Sequence, residues 1–270
     1  GFTRLICIAA TVFLFPILML GQSSDLLKLE AKADAQCRKG EWELASKNYK
    51  ALIVSDPKTA RYYYKLGGVI GKIAQNANVF KAMGLVDDAK EALLKALELQ
   101  PNYLEVIWAQ TELYTQLPGI LGGGKSAALT FAEKIVAIDP AIGALARSKI
   151  YDYYDDKILR EQANQIVLSL STDWCSGSNC MHANAVHFAY GKAAYQNLSQ
   201  QSKGILFLKR FCKEYSEIDQ STIEEAYLLI AHLSYQIEDF DQAKTYVNLA
   251  LTNEPNWDEA LSLKQKIYSK

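Results

Sequence analysis

The chain has 270 residues, half of them apolar, with 29 basic and 30 acidic side chains and a formal net charge of −1. That is enough apolar material for a large core. The balanced charge, with no lysine–arginine run and no acidic tail, argues against a nucleic-acid partner. No His-Glu metal motif, nucleophile elbow or paired-carboxylate site appears, so the chain reads as non-enzymatic and no cofactor is expected.

Arg4 precedes an apolar run from Leu5 to Leu20, broken only by Thr11 and Pro16, and the first acid is Asp25. A charged start, an apolar stretch and a small-residue exit at Gly21-Gln22-Ser23 form the layout of a secretory signal peptide, predicted over residues 1–22. Its 16 residues fall short of the roughly 20 that span a bilayer comfortably; an uncleaved anchor is the alternative, and would be the only membrane attachment. Export is expected.

From there a pattern recurs: a small residue, an apolar one four later, another three after that, and a proline five further on. It reads Ala45, Tyr49, Leu52, Pro57; Ala89, Leu93, Ala96, Pro101; Ala128, Ala132, Ile135, Pro140; and Ala243, Val247, Ala250, Pro255. Three- and four-residue spacing marks an amphipathic helix face. Small residues sit where paired helices approach closely, and proline stops the helix. The first unit (about 26–59) also carries Glu30 and Asp34. The second (60–103) opens with Tyr63 and the pair Leu66-Gly67 and holds an insertion near Gln75 to Gly84.

In the third unit (104–143), Val106 to Leu117 reads as a helix ended by Pro118. Residues Gly119-Ile120-Leu121-Gly122-Gly123-Gly124-Lys125-Ser126 then match G-x-x-x-x-G-K-[ST] letter for letter. A phosphate-binding loop must follow a buried strand, and here a helix precedes it, so the stretch is expected to be a glycine turn between two helices. Gly123, Gly124, Lys125 and Ser126 form a candidate anion site, because a helix start presents free amides.

Asp152-Tyr153-Tyr154-Asp155-Asp156 reads as a solvated helix end. Two degenerate units follow, 144–177 with Ala163, Val167 and Leu170, and 184–220 with Gly191, Gly204, Leu208 and Phe211. Between them Cys175 and Cys180 lie close enough to form a disulfide in an oxidising compartment. A zinc site with His182 and His187, or free thiols, are the alternatives. Cys37 and Cys212 read as small buried hydrophobes, and His232 as a surface residue. The sixth unit (224–257) carries Tyr227, Ile230, Ala231, Tyr235 and Phe240, and 258–270 reads as a polar-faced capping helix.

Leu66-Gly67 with Tyr63, and the four repeated helix signatures, resemble the tetratricopeptide-repeat (TPR) family over almost all of the chain after residue 22. The resemblance implies an all-α fold: a right-handed α-α superhelix, the TPR solenoid, of about six helix-turn-helix repeats with a capping helix. The two insertions are similar to those of bacterial exported TPR proteins with a Leu-Gly-Gly loop, which implies the periplasm or envelope of a Gram-negative-type bacterium. In this family the first helices of the repeats line a groove. Registering the units by their small residues turns inward Arg61, Tyr64, Lys72, Trp108, Glu112, Gln116, Phe188, Lys192, Tyr195, His232 and Tyr235. Rings mixed with both charges suit a protein or peptide partner, and Trp108 can instead fill between units. Glu30 and Asp34 stand where co-chaperone relatives use basic and amide residues to hold a carboxylate, so that clamp is not expected. The implied function is a protein-binding scaffold in an envelope complex. The alternative is a periplasmic small-ligand-binding partner of a solute transport system, and the remotest a nucleotide binder using 119–126.

Overall fold

The computed structural model describes residues 24–169, 184–217 and 219–270. All its regular structure is helical: α1 (24–38), α2 (Trp42–Ser55), α3 (Ala60–Gln75), α4 (Val79–Leu99), α5 (Leu104–Gln116), α6 (Lys125–Ile138), α7 (Pro140–Tyr153), α8 (Lys157–Ser169), α9 (Asn184–Gln196), α10 (Gln201–Glu214), α11 (Ile223–Gln236), α12 (Phe240–Asn253) and α13 (Asp258–Tyr268), with a short 3₁₀ turn at Gly119–Leu121. No strand occurs among the described residues. The chain divides into two compact units, one ending at Pro101 and one beginning at Asn102.

Local chemistry sets the helix starts. Asp139 accepts from the amides of Ala141 and Ile142 and is followed by Pro140 at the first position of α7, where the missing N–H costs nothing. Thr222 and Glu225 form a reciprocal capping box at α11. Asn78 and Asp239 cap α4 and α12.

Each helix packs on the next within its unit, and in unit 2 each odd-numbered helix also packs on the odd helix that follows: α5 on α7, α7 on α9, α9 on α11, α11 on α13. Successive even helices stand further apart, bridged by long side chains such as Lys209, which bonds Gln242. The small residues explain the close approaches. A Cβ on Gly67 would meet the Leu93 side chain at 2.9 Å, and one on Gly191 the Leu208 side chain at 2.2 Å. Ala45, Ala89, Ala128 and Ala243 are buried. At the chain's end, Ala260, Leu263 and Ile267 of α13 close the apolar cluster formed with α11 and α12.

Candidate functional site

The odd helices carry the positions expected to face a partner, and complementary charges link them one to the next. In unit 1, Arg61 of α3 donates Nε and Nη2 to the two Glu30 carboxylate oxygens of α1, both at 2.8 Å. Lys65 Nζ reaches Glu30 and Asp34, each at 2.8 Å. The Glu30–Arg61 and Asp34–Lys65 pairs span 31 residues each, so α1 and α3 run parallel and in register. Burial pushes the Glu30 carboxyl up, but the bonds from Arg61 and Lys65 outweigh it and hold the group below its ordinary value.

Unit 2 repeats the device. Lys149 of α7 pairs with Glu112 of α5 and lies over the Trp108 ring. Lys192 of α9 pairs with Asp152 of α7 at 2.6 Å. Tyr195 of α9 packs its ring on His232 of α11, centroids 4.9 Å apart, and His232 Nε2 lies 3.3 Å from a Glu259 oxygen of α13. Asp152 is a hub: its Oδ1 also accepts from Arg160 Nη1 at 3.1 Å and Gln196 Nε2 at 2.8 Å. Burial opposes its ionisation, yet Lys192, Arg160 and Gln196 together hold its pKa below the ordinary value. Behind it, Ser148 donates to Asn164, whose amide donates to Gln196 and Asn197.

The glycine stretch before α6 is a tight turn. Gly122 and Gly124 adopt φ of +81° and +114°, the region only glycine enters freely. Gly123 lies so close to Leu117 that a Cβ would sit 2.1 Å from its carbonyl oxygen. The Gly123 amide donates to Pro118 O and the Gly124 amide to Tyr114 O. Lys125 Nζ pairs with Asp156 Oδ2 at 2.6 Å and lies over the Tyr151 ring.

The tetratricopeptide repeat family model matches residues 77–103, and the model of the Fis1 C-terminal tetratricopeptide repeat matches 225–270. The chain carries tetratricopeptide repeats. Among solved structures it is similar to PilF of Pseudomonas aeruginosa, at 13% identity over 91% of this chain and 99% of that one, with a TM-score of 0.50. It is also similar to a chain of the Cut9–Hcn1 heterotetramer of APC/C, at 16% identity over 90% of this chain and 42% of that one, with a TM-score of 0.52. At such identities the likeness shows the fold, one that offers extended surfaces for protein partners.

Within this TPR fold the eleven inward positions divide by environment. Trp108 (2% exposed) and Phe188 (8%) are buried; their rings fill between helices and offer no anchor to a partner. Arg61, Glu112, Lys192 and His232 are engaged with neighbouring helices. Tyr64, Lys72, Tyr195 and Tyr235 are half-buried, and Gln116 is exposed. Sequence reasoning missed Lys149, Asp152 and Glu259, the partners of the inward charges. Their signal is opposite charges about one repeat period apart on successive odd helices, as with Glu112 and Lys149 at 37 residues.

Two expectations need correcting. Asp152 to Asp156 is not simply a solvated helix end, because Asp152 and Asp156 both hold cations from other helices. The candidate anion site is not assembled: the Gly123 and Gly124 amides are spent on carbonyls and Lys125 is neutralised, which leaves Ser126 exposed beside them. The Cys175–Cys180 disulfide, and His182 of the zinc alternative, lie outside the described residues. His187 is buried, with Nδ1 3.2 Å from Asn184 Oδ1. Cys37 is buried, its Sγ 3.4 Å from the Tyr49 hydroxyl. Cys212 is half-buried, and burial pushes its thiol up to about 12, so it stays protonated at neutral pH. Among the described residues no cluster of metal-ligating side chains occurs.

Proposed function

We propose that the chain is an exported, non-enzymatic scaffold that binds a protein or an extended peptide on the odd-helix face of unit 2, as part of a bacterial envelope complex. The observation that carries this reading is the row of inter-helix links. Glu112–Lys149, Asp152–Lys192 and His232–Glu259 join successive odd helices, so the face is pre-organised and little ordering entropy is lost on binding. Because those charges answer one another, recognition falls to the groups beside them: Gln116 and the rings of Tyr195 and Tyr235. Export rests on the Leu5–Leu20 run, and the envelope setting on the resemblance of the two insertions to those of exported TPR proteins.

The test compares proteins captured from a cell-envelope lysate by the wild-type chain and by a Tyr195→Ala/Tyr235→Ala variant of unchanged helical content. Loss of a defined captured protein with the variant supports the face as the docking site. Undiminished capture, or a co-purified small molecule in native mass spectrometry with no protein partner, overturns it. Export is tested separately, by fractionating cells and comparing the N-terminus of the mature chain with the encoded one; a chain retained in the cytoplasm refutes that part.

A further inference from the structure

We draw no further inference here: the strongest candidate, the acidic edge of unit 2 from Glu214 of α10 to Glu225 of α11, joined to the end of α12 by the bond from Asn253 to Glu224, is a cluster of carboxylates, and nothing in the structure shows what ligand or partner would cover it.

Discussion

Asp152 takes donors from Lys192, Arg160 and Gln196, on two helices other than its own. Asp152→Asn keeps the shape but leaves two cations without their counter-charge, and should cost about 1–3 kcal/mol, read as a lower urea midpoint. At Gly123 the limit is space: a Cβ would sit 2.1 Å from the Leu117 carbonyl oxygen. Gly123→Ala should therefore destabilise by about 2–3 kcal/mol, while Lys125→Ala, which removes an exposed-edge ion pair, should cost at most about 1 kcal/mol. In neither variant should ATP shift the melting temperature more than it does in the wild type; an ATP-induced rise in the wild type that Lys125→Ala abolishes would restore the phosphate-loop reading. Gly123 and Lys125 stand out in the sequence by spacing alone, but their structural duty does not. Asp156, which neutralises Lys125, lies 31 residues away, and no local pattern announces such a partner.

Most helices are legible in their own residues. Thr222 with Glu225, and Asp139 with Pro140, mark helix starts from side-chain chemistry alone, and the recurring alanines mark the faces that pack. Thr222→Ala should remove one capping bond and lower stability by about 1 kcal/mol. The insertion near Gln75 to Gly84 was less readable, since interrupted periodicity shows extra residues without saying what form they take. It is mostly the first two turns of α4, where Phe80, Ala82 and Met83 need no core to be helical once Asn78 supplies the cap. Gly84 lies inside that segment, and a Cβ there would meet nothing within 4 Å. Gly84→Ala should then raise stability by about 0.5–1 kcal/mol by restricting the unfolded chain, measurable in the same urea titration.

Across the whole molecule, stability should follow two groups of titrating side chains. Burial lowers the His232 pKa from 6.5; Glu259 pulls it up and Lys266 of the same helix pushes it down, with the net shift downward. Glu259 is half exposed, so water screens its pull and burial of the ring prevails. As pH falls below about 6.5 the unfolded chain protonates first, so stability should drop until the pH passes the lowered pKa of the folded ring, and His232→Gln should flatten that drop. Glu30 and Asp152 are held below their ordinary values. Their contribution is full above about pH 5 and is lost as pH falls through their lowered pKa values, giving a second loss in acid. The all-helical repeat architecture was readable because periodicity repeats and errors average out along the array. The state of the inward residues was not, because it depends on which neighbour stands opposite. Trp108 and Lys192 both register inward, yet one is sealed and the other half open.

The packing of odd helix on odd helix in unit 2 has a mechanical consequence. Links run along one side of the stack, while the even helices stand further apart. Load applied to the ends of the unit should therefore be borne unequally, with the odd side as the pivot line and the even side spreading like the ribs of a fan. Its compliance should rise with ionic strength, as salt screens the exposed links, so an elastic constant measured under force would report the ladder directly.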